Sequence, residues 1–212
     1  MQKKFNAWLI TKKNNKTCSS YLELESNKYL SGEVIIQVKN SALNYKDALA
    51  LTGSAPIIRK FPLIPGIDLS GVVIQSKNKK FSEGDRVFTT GWGLGELQNG
   101  GLSSHASTDA DMLIKVPNKY THSYIMGLGT AGLTAMLAVL ALNENSIKPD
   151  AGKVLVTGSS GAVGGIATKL LLKLGYDVVA LTSRPEYNRD YLKSFGNIEV
   201  LDTDDFLGNP RM

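Results

Sequence analysis

The stretch Lys153-Val-Leu-Val-Thr-Gly-Ser-Ser-Gly-Ala-Val-Gly-Gly-Ile-Ala-Thr-Lys-Leu-Leu-Leu-Lys-Leu-Gly-Tyr-Asp-Val-Val-Ala-Leu-Thr-Ser-Arg184 constrains the fold more than any other part of the chain. An all-apolar run, Val154–Val156, enters a Gly/Ser turn. Apolar residues then recur at helical spacing from Ala162 to Leu174, Gly175 ends that pattern, and a second apolar run follows at Val178–Leu181. Strand, turn, helix and strand within about 30 residues form a βαβ unit, which commits this region to a parallel sheet covered by helices. The turn reads Ser159-Ser-Gly-Ala-Val-Gly164, a dinucleotide fingerprint with serine in place of its first glycine. In that pattern Gly161 lets the backbone approach a pyrophosphate, Gly164 lets the helix pack closely, and the N–H groups of the helix start hold phosphates. Flavodoxin-like units use the same turn without a dinucleotide, so the glycines alone leave both readings open.

Ser160 supports a rival. Gly158-Ser-Ser-Gly-Ala162 nearly matches the nucleophile elbow of α/β-hydrolases, with Ala162 where the final glycine belongs. That family orders its triad as serine, acid, histidine. Both histidines, His105 and His122, precede Ser160, so the triad cannot be assembled in that order. The second strand then separates two cofactors. An NAD site places an acid at its end to bind the ribose 2′-hydroxyl. Here the strand ends Thr182-Ser183-Arg184, hydroxyl donors followed by a guanidinium that can pair a 2′-phosphate with two parallel hydrogen bonds. The local chemistry favours NADPH, although an arginine before Pro185 also suits a solvated loop.

Composition removes several alternatives. With 42% hydrophobic and 20% charged residues over 212 positions, the chain is neither disordered nor fibrous. The single cysteine, Cys18, excludes an intramolecular disulfide, and one cysteine with two histidines argues against a Cys-rich zinc site. No metal ligand set is expected, and the expected setting is a reducing cytoplasm. The net charge of +5 is scattered in small lysine clusters (Lys3-Lys4, Lys12-Lys13, Lys77, Lys79-Lys80), without the concentrated basic face that nucleic acid requires. The start Met1-Gln-Lys-Lys-Phe-Asn has no apolar core and does not read as a signal peptide. The run Ile125–Leu142 carries no charge and reaches the length of a membrane span. Its three glycines and two threonines fit better with a helix buried between two soluble layers, and no membrane partner is expected.

The chain has two textures. Up to about Pro117 short β-like runs alternate with turn residues: Ala7–Ile10, Val34–Val38, Leu69–Gln75, Arg86–Thr90 and Met112–Val116, with a short helix at Tyr45–Leu51. This suggests a partly open antiparallel barrel or sandwich. From about Thr121 helices and strands alternate, so the expected boundary separates residues 1–120 from 121–212. After Arg184 the sequence has room for a helix at Glu186–Phe195, a strand at Ile198–Leu201 and a polar end from Asp202 to Met212.

Read together, the two halves resemble the zinc-free medium-chain dehydrogenase/reductases of the acrylyl-CoA reductase and NADPH quinone oxidoreductase type. The segments that carry the resemblance are Leu43-Asn-Tyr-Lys-Asp-Ala-Leu-Ala50, Ile57-Ile-Arg-Lys-Phe-Pro-Leu-Ile-Pro-Gly-Ile-Asp68, Thr90-Gly-Trp-Gly-Leu-Gly-Glu96, Gly100-Gly-Leu102, Gly129-Thr-Ala-Gly-Leu-Thr-Ala-Met-Leu137, Val156-Thr-Gly158 and Tyr191-Leu-Lys-Ser-Phe-Gly196. The resemblance implies an α/β protein: a GroES-like β-barrel catalytic domain followed by a Rossmann domain, with the active site in the cleft between them. Zinc-dependent relatives place a cysteine near Asn44 and a histidine near Ile67, and neither residue here is a usual zinc ligand. Without that Lewis acid, reduction of an activated C=C bond is easier than carbonyl reduction. Hydride delivered β to a thioester or ketone leaves an enolate for a donor or water to protonate.

The resemblance also assigns residues. Tyr45 lies beside the nicotinamide as a cofactor contact and as the catalytic residue that polarises substrate, against the alternative of a tyrosine packed under the cleft. Ser160, Gly161, Ala162 and Val163 hold the phosphates, and Thr182, Ser183 and Arg184 the 2′-phosphate. Thr130 and Thr134 stand as nicotinamide-side neighbours, against the alternative of hydroxyls that satisfy backbone groups within a helix. Asp47, Asp68 and Asp85 read as turn and strand-end residues rather than as acids or bases. A small-molecule acceptor, acyl-CoA or quinone, is expected as substrate. The family's complete Rossmann domain has two halves, and only the first is recognisable here. A truncated NADPH-binding or protein-interaction remnant therefore stands as the alternative to an active reductase, and a homo-oligomer is compatible with either.

Overall fold

The computed structural model describes residues 3–207. It divides into two compact units, one running up to Thr130 and the other from Ala131.

The first unit is built from antiparallel strands. Strands β1 (Lys4–Lys13) and β2 (Lys16–Glu25) pair along their whole length, from Lys4 opposite Glu25 to Lys13 opposite Lys16. Their turn is Asn14-Asn15, both at positive φ (48° and 62°), which is the two-residue geometry whose twist matches a hairpin. β1 alternates from Lys4 to Leu9, burying Phe5, Ala7 and Leu9, and then also buries Ile10, whereas β2 buries only Leu24. A five-stranded sheet follows, in spatial order β6-β3-β4-β5-β7. Its members are β3 (Val34–Asn40), β4 (Asp68–Ser76), β5 (Arg86–Thr90), β6 (His105–Thr108) and β7 (Ile114–Lys115). In β3 the three residues Val34, Ile35 and Ile36 are all buried, because the strand is covered on both faces. Val34 and Ile36 join Leu69, Val73 and Val87 in one core, while Ile35 joins Phe5, Leu9 and Ile64 in another. Each of these side chains contributes roughly 1.5–3 kcal/mol through burial. Two short helices, α1 (Ser26–Tyr29) and α2 (Tyr45–Thr52), connect the strands.

Helix α3 (His122–Glu144) is interrupted at Gly129, whose φ of 46° and ψ of −150° are not helical. Downstream of the break it buries Ala131, Ala135 and Val139 and leaves Leu133, Met136, Leu137 and Leu140 exposed. By length and composition α3 could cross a membrane (mean hydropathy 2.0), and one third of its most apolar window is buried. The expectation of burial between two layers is therefore corrected: only one apolar face of this segment is covered.

The second unit carries the parallel sheet. Strands β8 (Lys153–Val156), β9 (Asp177–Thr182) and β10 (Glu199–Asp202) lie in the order β10-β9-β8, alternating with α4 (Ala162–Lys173) and α5 (Pro185–Lys193). This is the first half of a Rossmann sheet. The central strand β9 is buried from Val178 to Thr182, as a strand covered on both faces must be. Val139, Leu171, Val178, Ala180, Leu192 and Val200 form its core. A short final helix, α6 (Thr203–Leu207), follows β10; the remainder of the polar end lies outside the described residues.

Candidate functional site

In the second unit the chain leaves β8 through the turn Thr157–Gly161 and enters α4. A Cβ on Gly164 would run into the Gly158 carbonyl oxygen and come within 2.9 Å of the Ser159 Cα, so this glycine permits the close helix–turn packing that the motif requires. At Gly161 an added Cβ would meet only the Gly158 carbonyl oxygen, at 3.2 Å. Gly161 is the N-cap of α4 and supplies no side-chain cap, and the first turn holds no acidic residue. The positive end of the helix dipole is thus left without a carboxylate, which is the condition for receiving an anion. Ala162 and Val163, the first two helical residues, are both exposed.

A cavity of about 370 Å³ lies beside this turn, bordered by Gly158, Ser160, Thr182, Ser183, Thr203 and Phe206, with Leu155 at its wall. Ser160 Oγ and Thr182 Oγ1 are 3.3 Å apart. Thr182 is 3% exposed, and its hydroxyl also accepts from Asn188 Nδ2 (3.1 Å) and from the Arg184 N–H (3.4 Å). It joins the glycine turn, the end of β9 and the start of α5. Ser183 and Arg184 are exposed, and no ion pair among the described residues uses the Arg184 guanidinium. The structure therefore gathers Ser160, Thr182 and Ser183 at one cavity and sets Arg184 next to it. Thr203, Phe206 and Asn188 were not foreseen. The first two lie beyond the last apolar run, and Asn188 sits within an otherwise surface-like helix, so no sequence pattern marked them.

Tyr45 is the first residue of α2 in the first unit and is 81% exposed. Its helix starts with a capping box: the Asn44 N–H donates to Asp47 Oδ2 at 2.8 Å, and the Asn44 side chain faces the backbone of residue 47. Asp47 Oδ1 accepts the Ile67 N–H at 3.1 Å. Burial pushes the Asp47 carboxyl above its ordinary range, and the Asp68 charge acts in the same direction, opposed by the N–H groups of Asn44 and Ile67. Asp68, the first residue of β4, is fully buried. It accepts from Asn44 Nδ2 at 2.9 Å, from the Thr130 N–H at 3.0 Å and from the Thr130 hydroxyl at 2.5 Å. Asp85 is a turn residue, taking the Ser82 N–H and pairing with Lys115 at 2.8 Å.

Both histidines are engaged within the first unit. His122 Nδ1 meets Ser70 Oγ at 2.7 Å, and His105 packs edge-on against Phe5 beside Ser104. Burial lowers the pKa of each. Among the described residues no group of three or more His, Cys, Asp or Glu side chains is arranged to hold a metal.

Comparison with known proteins adds the following. Residues 30–118 match the alcohol dehydrogenase GroES-like domain. The chain is 41% identical over 203 residues to acrylyl-CoA reductase AcuI of Ruegeria pomeroyi, covering 95% of this chain and 61% of that protein. The crystal structure of Escherichia coli K-12 YhdH with bound NADPH superposes with a TM-score of 0.91 at 46% identity, covering 94% of this chain and 62% of that one. Bacillus subtilis YhfP, provisionally named a quinone oxidoreductase, is 43% identical over 93% of this chain and 60% of its own length, and its structure with NAD bound gives a TM-score of 0.90. The chain thus spans about three fifths of the length of the relatives it matches.

Proposed function

Because the chain belongs to the medium-chain dehydrogenase/reductase family, we propose that it is the GroES-like domain and NADPH-binding half-Rossmann portion of an oxidoreductase that reduces an activated C=C bond. The observation that carries this reading is the end of β9. Ser183 and Arg184 stand exposed there, beside the uncapped start of α4, with no acid in the place where NAD sites use one. The residues fit the dinucleotide: the first turn of α4 is free of carboxylates, and Gly161 leaves the approach to it open.

In this reading the N–H groups of Ala162 and Val163, with the Ser160 hydroxyl, hold the pyrophosphate, and Gly161, whose own N–H donates to the Gly158 carbonyl oxygen at 2.9 Å, lets the backbone approach it. Arg184 and Ser183 hold the 2′-phosphate, and Thr182 keeps the turn and strand end in register through its shared hydroxyl. Bound NADPH supplies the hydride. Tyr45 is assigned to the nicotinamide end as a cofactor contact, and its phenol donates a hydrogen bond to the substrate carbonyl oxygen, favouring charge on that oxygen as the β-carbon is reduced. Zinc has no part in this reading: the Asn44 carboxamide is held by two carboxylates and Ile67 is a buried aliphatic residue. The acceptor is a small molecule, an acryloyl-type thioester as the AcuI name indicates, or a quinone as the YhfP name indicates. A cytoplasmic setting agrees with the single cysteine and the bacterial relatives.

The second reading is cofactor binding without turnover, or a purely protein-contacting role. Purified chain mixed with NADPH and either acryloyl-CoA or a benzoquinone separates the two, followed by the near-ultraviolet absorbance of NADPH. Oxidation with one acceptor supports the reductase and names its substrate class. No oxidation with either, beside an active full-length relative, rejects turnover by this chain.

A further inference from the structure

We propose that Asp68 is a positioning residue that ties Tyr45 and Thr130 to one buried carboxylate. The inference deepens, and rests on, the reading of these two residues as belonging to the nicotinamide end of the site.

Among the described residues, every side-chain hydrogen bond that Asp68 makes goes to one of two places. Asn44 Nδ2 donates to Oδ2 at 2.9 Å, and Asn44 immediately precedes Tyr45. The Thr130 N–H donates to the same oxygen at 3.0 Å, and the Thr130 hydroxyl to Oδ1 at 2.5 Å. Asp68 is fully buried, and none of the ion pairs among the described residues supplies it a cation. A buried carboxylate without a cation is costly, and a well-packed apolar residue would serve stability better. A second constraint sits at the same point. Helix α3 breaks at Gly129 with a left-handed φ, and its Cα faces Asp68 closely enough that any Cβ would lie 2.7 Å from Oδ2. A buried carboxyl group beside a helix break that only glycine can occupy indicates a geometry retained for a reason other than stability. What they jointly fix is the start of α2, where Tyr45 projects, and the restart of α3 at Thr130.

The Asn44 amide strengthens this reading. Its Nδ2 lies 2.9 Å from Asp68 Oδ2 and 3.4 Å from Asp47 Oδ2, so one amide group bridges two carboxylates. Asp47 in turn takes the Asn44 and Ile67 N–H groups, which fixes the backbone on either side. Replacing Asp68 with Asn keeps the shape and the shared acceptor: an amide oxygen at the Oδ2 position still takes the Asn44 amide and the Thr130 N–H, and its NH2 meets the Thr130 hydroxyl, which can accept. Replacing Asp68 with Ala removes all three accepted hydrogen bonds.

The test is binding, so it does not depend on turnover. Affinities of the chain for NADPH and for adenosine 2′,5′-bisphosphate, which lacks the nicotinamide, are measured by calorimetry for the parent, Asp68→Ala and Asn44→Ala. The expected result is a loss of about tenfold for NADPH in each variant, the size of one charged hydrogen bond, with the bisphosphate changed less than about twofold. Should Asp68→Ala fail to fold, Asn44→Ala gives the same readout and alters no proposed cofactor contact. Equal loss of both ligands, or no loss of either, overturns the positioning role while leaving the cofactor reading intact. A parent that binds the bisphosphate and NADPH with equal strength also overturns it. A parent that binds neither ligand overturns the cofactor reading and this inference together.

Discussion

Gly129 lies directly against the Asp68 carboxylate: a Cβ at position 129 would stand 2.7 Å from Oδ2, and the backbone there holds φ 46° and ψ −150°. Neither the space nor the torsion accommodates a side chain. Gly129→Ala is expected to lower the stability of the chain by about 1–3 kcal/mol, the cost of one strained residue. Urea denaturation followed by circular dichroism reads this directly, and an unchanged midpoint would mean that the break in α3 relaxes freely.

Gly164 makes the corresponding contact in the second unit. Its Cα faces the Gly158 carbonyl, a backbone group that cannot swing aside, and the Ser159 Cα lies 2.9 Å from where a Cβ would be. Gly164→Ala should therefore cost about 1–3 kcal/mol as an overpacking change. It should also weaken NADPH, since the displaced turn is the proposed phosphate cradle. The control at Gly161, where only the Gly158 oxygen is near at 3.2 Å, should be the milder of the two in stability.

Arg184 is expected to discriminate between the two dinucleotides. Arg184→Ala removes a charged donor that only the 2′-phosphate can use, so NADPH should weaken by about tenfold or more while NADH changes little. Titration of both cofactors against parent and variant checks it. Equal weakening of the two would reject the assignment of Arg184 to the 2′-phosphate.

These positions show what could be read in advance and what could not. The apolar runs of β3, β4 and β9 were legible because packing on both faces leaves an unbroken signal, and β5, β8 and α4 by the apolar residues at their own strand or helix spacing. Strand β2 was missed: Lys16-Thr-Cys-Ser-Ser-Tyr-Leu-Glu-Leu-Glu25 buries only Leu24, so its partner β1 and the Asn14-Asn15 turn define it rather than its own pattern. Strand β6, His105-Ala-Ser-Thr108, is too short and polar to register. The α3 run was recognised as one helix, but three glycines in it did not say which would break, since that depends on Asp68, 61 residues earlier in the chain. In the site, Ser160, Ser183 and Arg184 were marked by local motif. Asp68 was read as a strand-end residue, which it is, yet the tertiary contacts of its carboxylate carry no sequence signature.

Asp47 provides a pH-dependent check on the buried network. Burial raises its pKa above the unfolded value, which lies near about 3.9. A carboxyl raised in the folded state binds its proton more tightly there, so its contribution is fully present below the unfolded pKa and is lost as pH rises through the folded one. The stability of the parent relative to Asp47→Asn should accordingly decline as pH is raised across that window. Urea midpoints of the two proteins at a series of acidic to neutral pH values give the difference. A difference that stays flat or grows with pH would contradict the burial assigned to this group.

The central claim, that this chain holds the NADPH-selective half of a dinucleotide site, is tested most directly by titrating the unsubstituted protein with NADPH and with NADH and following the enhancement of nicotinamide fluorescence. The account predicts saturable binding of NADPH at least about tenfold tighter than NADH, the difference one guanidinium–phosphate contact supplies. Equal affinity for the two, or binding of neither, would contradict it.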